Sequence, residues 1–159
     1  MDTTEIIIGC DHGAFSLKDT IKNRLFELAI PVQDVGAFSE KSVNYPEFGA
    51  KVASAVASGA FGRGILLCGT GLGMSIVANR FPGVRATLCN DLFCARMARM
   101  HNDSNLLVMG GRVVGDGLAL EILNTWLTTP FEGGRHQARL DMIERALELY
   151  GAALPRADE

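Results

Sequence analysis

The stretch GILLCGTGLGMSIVANRF, residues 64–81, holds the turn on which the fold reading rests. GILLC (64–68) is a short apolar run bounded by glycine, the pattern of a strand buried on both faces. Gly69, Gly71 and Gly73 follow, and MSIVANRF (74–81) reads as a short helix. Strand, glycine turn and helix make the repeating unit of an α/β sheet. The same alternation runs along the whole chain. EIIIG (5–9) predicts a strand. FSLKDTIKNRLFELA (15–29) predicts a helix, with Leu17, Ile21, Leu25 and Leu28 on one face. PVQDVG (31–36) predicts the second strand, and the polar loop FSEKSVNYP leads into a helix through Ala57. VRATLC (84–89) and NLLVMG (105–110) predict the fourth and fifth strands. LFCARMARMH (92–101), LALEILNTWL (118–127) and RLDMIERALELYG (139–151) predict further helices. Five short apolar strands alternating with helices predict a Rossmann-like three-layer α/β/α sandwich around a parallel five-stranded sheet.

The 159 residues fit a single domain, read as 1–150, with residues 151–159 a frayed tail. Apolar residues make up 48% of the chain and charged residues 21%, which excludes a disordered or fibrous class. The formal net charge is -3 and no Lys/Arg run exceeds two, so no nucleic-acid partner is expected. No apolar run approaches the length of a membrane span. The N-terminus MDTTEIII lacks a basic region ahead of its apolar residues, which predicts a cytoplasmic chain without a secretion signal. In that setting Cys10, Cys68, Cys89 and Cys94, none in a C-x-x-C pair, read as reduced thiols.

In parallel α/β sheets ligands bind beyond the carboxyl ends of the strands. The loops of interest therefore follow residues 9, 36, 68, 89 and 110. After the first strand come Asp11 and His12, where Asp11 reads either as a helix cap or as a base. After the third comes Cys68-Gly69-Thr70-Gly71-Leu72-Gly73. Its glycines permit close backbone approach, and successive N–H groups at a helix start favour negative charge. That environment predicts a cysteine pKa lowered from about 8.5 toward neutral; the plainer alternative is a tight turn beside a buried thiol. The spacing is G-x-G-x-G without a following Lys-Ser/Thr, so neither a dinucleotide fingerprint nor a Walker loop is present. His101, at a helix C-terminus before Asn102 and Asp103, suits proton transfer near neutral pH. Arg112 follows Gly110-Gly111. Arg135 and Arg139 share a helix face, a spacing that suits an anion held between two guanidinium groups. Acid/base groups, an oxyanion-type loop and an arginine clamp form the combination that a sugar-phosphate enzyme needs.

The ordered segments GCDHGA, NYPEF, ILLCGTGLGMSIVANR, VRATLCND, HNDSNLLVMGGRVVG and FEGGRHQARL resemble the ribose-5-phosphate isomerase B family and its allose- and galactose-6-phosphate relatives. The resemblance runs to about residue 149. It implies aldose–ketose isomerisation through an enediolate, with no metal and no cofactor. By resemblance Cys68 is the base that moves the proton between C1 and C2. Thr70 and the amides of Gly69, Gly71 and Gly73 stabilise the enediolate. Asp11 and His101 assist ring opening. His12, Arg112, Arg135 and Arg139 match phosphate or sugar contacts, and Tyr45 and Asn102 match sugar contacts. The resemblance also implies a homo-oligomer, dimer or tetramer, with the site shared between subunits. One family branch uses a glutamate at the position of Met74; this chain has methionine there and matches the cysteine branch. Asn44-Tyr45-Pro46 and Glu47-Phe48-Gly49 depart from the family's commoner pattern near the sugar. Ribose 5-phosphate is the leading substrate, beside allose 6-phosphate, galactose 6-phosphate and a tetrulose 4-phosphate. A sugar-phosphate sensor without catalysis is the alternative, and a metal site of Cys68, His101, Asp11 and His12 matches no ligand motif.

Overall fold

In the computed structural model, which describes residues 5–146, the run IIIGC forms β1, Ile6–Cys10, with all five residues buried. The other strands are β2 (Val32–Asp34), β3 (Arg63–Cys68), β4 (Ala86–Leu88) and β5 (Leu106–Gly110). The helices are α1 (Phe15–Glu27), α2 (Tyr45–Ala57), α3 (Leu72–Ala78), α4 (Leu92–Met100), α5 (Asp116–Thr128) and α6 (Arg135–Glu144). The sheet is five-stranded in the order β2-β1-β3-β5-β4, and every pair is parallel. This is the predicted sandwich.

Successive strand residues face opposite sides of a sheet, and the core divides accordingly. Ile6, Ile8 and Cys10 pack with Leu17, Ile21 and Leu25 of α1, Ala95 and Ala98 of α4, and Trp126 of α5. Ile7, Leu66, Cys68 and Val108 pack on the other face with Val52 and Val56 of α2 and with Met74 and Ala78 of α3. Strands covered on both faces explain why the sequence shows unbroken apolar runs rather than alternation. The chain proceeds from β1 outward to β2 on one side and from β3 outward on the other. The crevice where the winding reverses therefore lies between the carboxyl ends of β1 and β3, beside Asp11 and Cys68.

Several boundaries move. The third helix starts at Leu72, not Met74, because Gly71 turns the chain in a left-handed conformation (φ 80°) one residue earlier. It stops at Ala78 because the next side chain leaves the helix: Asn79 Nδ2 donates to the Ala86 carbonyl and its Oδ1 accepts from the Ala86 amide, both at 2.9 Å. The last helix starts at Arg135, four residues ahead of the run 139–151 and in keeping with Arg135 and Arg139 sharing a helix face, directly after Gly133 and Gly134, both of positive φ. The end of that predicted helix, from residue 147, and the tail at 151–159 lie outside the described residues.

Candidate active site

Three loops meet at the carboxyl ends of β1, β3 and β5. The Asp11 amide donates to the Leu67 carbonyl (3.0 Å), the Gly111 amide to Cys68 (2.9 Å) and the Arg112 amide to Gly69 (2.9 Å). A Cβ added at Gly13 would sit 3.2 Å from the Gly69 Cα. Small residues thus let the loops touch backbone to backbone. Asp11 is buried, and its Oδ1 accepts from the Gly13 amide at 2.8 Å, capping a single 3-10 turn, His12–Ala14. The capping reading is therefore present in the structure. His12 Nδ1 accepts from the Val43 amide (3.3 Å), which leaves the proton of the neutral ring on Nε2.

Cys68 ends β3 with its side chain almost fully covered, and its Sγ accepts a hydrogen bond from the Gly71 amide at 3.1 Å. Only glycine fits at 71. The backbone is left-handed there, and a Cβ would lie 2.4 Å from Leu88 Cδ1. The Gly71 amide thus faces the sulfur, whereas the resemblance gave it to the enediolate oxygen. The Leu72 amide is directed to Thr70 Oγ1 (3.4 Å), and Thr70 itself is exposed. The remaining first-turn amides of α3, from Gly73 and Met74, have no partner inside the helix. Tyr45, the first residue of α2, lays its ring over Gly73. The Arg112 side chain lies across Gly69. Burial pushes the Cys10 and Cys89 thiols up to about 11, so neither is a thiolate at neutral pH.

His101, Asn102, Arg135 and Arg139 are placed elsewhere. In the register of the sheet Leu106 pairs with Gly64 and Gly110 with Cys68. The start of β5 is thus about 13 Å from the cysteine along the sheet. His101 closes α4, a helix that returns the chain to that amino end. There its ring stacks on His136, with centroids 4.1 Å apart and planes at 7°. Glu132 Oε2 lies 3.3 Å from His136 Nε2 and 4.0 Å from His101 Nε2. Burial, followed by the charges of His101 and Arg135, holds His136 below the usual imidazole range, against the pull of Glu132. Arg135 and Arg139 are exposed. Glu132 was not singled out from sequence, because a carboxylate in a loop carries no periodic signal; its spacing of four from His136 was the available cue.

The candidate residues of one chain therefore fall into two groups at opposite ends of the sheet. Asp11, His12, Tyr45, Cys68, Gly69, Thr70, Gly71, Gly73 and Arg112 form one. His101, Asn102, Arg135 and Arg139 form the other. Phe38, Leu72, Phe93 and Val113, all large and exposed, sit on segments that follow the carboxyl ends of β2, β3, β4 and β5.

The sequence profile described as Ribose/Galactose Isomerase matches residues 6–143. Ribose-5-phosphate isomerase B of Escherichia coli (strain K12) is 47% identical over 139 residues, 87% of this chain and 93% of that protein. The structure of ribose-5-phosphate isomerase B from Clostridium thermocellum superposes with a TM-score of 0.89 at 50% identity, covering 92% of this chain and 99% of that one. A ribose 5-phosphate isomerase from Thermotoga maritima superposes at 0.86, also with 50% identity, over 89% and 97%. Similarity of this depth, spanning the sheet and both groups of candidate residues, means that the chain belongs to the Ribose/Galactose Isomerase family.

Proposed function

We propose that this protein interconverts ribose 5-phosphate and ribulose 5-phosphate, with Cys68 as the base. The observation that carries the reading is the Cys68 sulfur, at the topological switch point, accepting the Gly71 amide. Asp11 and His101 open the furanose ring by moving protons at O1 and at the ring oxygen. Cys68 then takes the proton from C2. The electrons flow into the carbonyl to give the enediolate; a proton passes from O2 to O1, and return of the carbon-bound proton to C1, as O2 becomes the carbonyl, completes the ketose. Thr70 and the amides of Gly69 and Gly73 stabilise the enediolate oxygen. Tyr45 and Asn102 contact the sugar. His12, Arg112, Arg135 and Arg139 hold the phosphate, remote from the reacting carbons.

His101, Asn102, Arg135 and Arg139 are supplied by a second copy. The separation of the two groups supports this, as do the exposed apolar residues that follow the carboxyl ends of the strands, which a second copy would cover. A two-fold pair would build two complete sites. The cysteines are all unpaired, which fits a reducing cytoplasm. Among the described residues no helix is long and apolar enough to cross a membrane.

The test is isomerisation followed by NMR in D₂O with ribose 5-phosphate, allose 6-phosphate, galactose 6-phosphate and erythrulose 4-phosphate. Ribose 5-phosphate is expected to convert fastest, with solvent deuterium entering the product. Cys68→Ala is expected to fold and to lose at least about 10²-fold in kcat. Substantial turnover in that variant refutes the base assignment, and binding without exchange supports the sensor.

A further inference from the structure

Granted the part given above to His101 in ring opening, we propose that Glu132 is the positioning residue for that step. Its carboxylate, with the buried ring of His136, holds His101 with a proton on Nε2, the nitrogen from which it reaches the furanose oxygen. The Glu132 amide donates to the Met100 carbonyl at 3.0 Å, which ties the loop after α5 to the end of α4, directly before His101. The His101 ring lies flat on His136, with centroids 4.1 Å apart and planes at 7°. His136 is buried, so the stack sets the plane of the His101 ring, which is itself 37% exposed. The stack leaves open which ring nitrogen of His101 carries the proton. That choice is set by the hydrogen bond the ring makes. Glu132 Oε2 lies 4.0 Å from His101 Nε2, and this exposed side chain closes about 1 Å to reach hydrogen-bond distance. The carboxylate swings back as the furanose oxygen takes its place. His136 Nε2 is nearer the carboxylate, at 3.3 Å, yet does not compete for it. That nitrogen accepts from Arg135 Nε at 3.4 Å and has no proton to give. Burial, then the charges of His101 and Arg135, hold the His136 pKa low, in keeping with a neutral ring.

In the reaction, protonated His101 gives its Nε2 proton to the ring oxygen as the bond from that oxygen to C1 breaks. The O1 proton passes to Asp11 as the C1–O1 double bond forms. His101 is left neutral, with its proton on Nδ1, and regains the other from solvent.

Ribulose 5-phosphate separates this step from proton transfer at carbon. Its C5 oxygen carries the phosphate, so it closes no five-membered ring and meets Cys68 already open. Solvent deuterium exchange at its C1 therefore needs the base but not ring opening. Glu132→Gln keeps the size of the side chain and removes the charge. The expected result is a kcat for ribose 5-phosphate at least about ten-fold lower, with KM and the C1 exchange of ribulose 5-phosphate within about two-fold of the parent. His101→Ala is expected to show the same split with a larger loss, and the double variant is expected to be no worse than His101→Ala alone. Equal loss of isomerisation and exchange in Glu132→Gln marks a merely structural role and overturns the proposal. An unchanged isomerisation rate in Glu132→Gln, beside a slow His101→Ala, overturns it as well. A His101→Ala variant that isomerises ribose 5-phosphate at the parent rate refutes the part given to His101, and the positioning role falls with it.

Discussion

Replacing Gly73 with alanine separates the stability of the fold from the placement of Tyr45. Gly73 lies in the first turn of α3 and is not among the glycines of positive φ, so its backbone accepts a side chain. Alanine is favoured over glycine in a helix interior by up to about 1 kcal/mol. The added methyl, however, would lie 2.6 Å from Cε2 and Cζ of the Tyr45 ring. Comfortable carbon contacts need about 3.5 Å or more, so the ring must retreat by about 1 Å. Tyr45 is 39% exposed and is free to do so. A displacement of that size in a substrate-positioning group costs up to about 10²-fold. The expected outcome is a Tm within about 2 °C of the parent or above it, with kcat/KM lower by about ten- to a hundred-fold. The double variant Gly73→Ala/Tyr45→Ala is expected to be no worse than Tyr45→Ala alone, since both changes act through one ring. Full activity in Gly73→Ala, or an additive loss in the double variant, refutes the reasoning.

Three further outcomes follow from the same geometry. Cys68→Ala and His101→Ala, each inactive alone, are expected to recover about one quarter of the parent activity when unfolded together and refolded as a mixture, because randomly paired two-fold hybrids rebuild one intact site; no recovery argues against the shared site. Lys18, 1% exposed, is paired with Asp34 at 2.9 Å and donates to the Ala37 carbonyl, so Lys18→Met, which leaves Asp34 with Lys22 alone as cation and the Ala37 carbonyl without this donor, is expected to cost about 1–3 kcal/mol in urea unfolding; a loss under about 0.5 kcal/mol refutes the pairing. Asp34 is held below its ordinary pKa of 3.8: burial works against this, and hydrogen bonds from Lys22, the Gly36 amide and Lys18 overcome it. Its stabilising contribution is therefore complete above about pH 4 and lost as pH falls through the lower folded value. The urea midpoint should show that loss in the parent and not in Asp34→Asn.

The three inner strands were legible because β1, β3 and β5 are buried on both faces and apolar nearly throughout; the edge strands β2 and β4 are only partly buried and gave shorter signals. The start of α3 was hidden because Leu72 is exposed and adds nothing to a periodic stripe. Arg135, polar and exposed, adds nothing to the apolar stripe of α6 either, but its pairing with Arg139 already put it in that helix. The glycine loop, Asp11 and Arg112 were readable as neighbours, since all follow strands and so share one end of a parallel sheet. His101 was readable as a helix-end histidine but not as remote from Cys68. It lies in a connection from helix to strand, and such connections gather at the amino end. Only the direction of α4 against the sheet makes that plain. Glu132 joined the two histidines through tertiary packing, which no local pattern records.

Asn79 does more than end a helix. By engaging both the N–H and the C=O of Ala86 it occupies the outer rim of β4, the last strand on that side of the sheet, as a single residue standing in for a sixth strand. An unpaired rim is where a foreign strand would add itself and start a fibril. With β4 only three residues long and one of them already engaged, little ladder remains to extend. The equivalent rim of β2 is also three residues long. A primary amide at the tip of a short helix thus protects the chain's solubility at high concentration, a property that no assay of turnover would reveal.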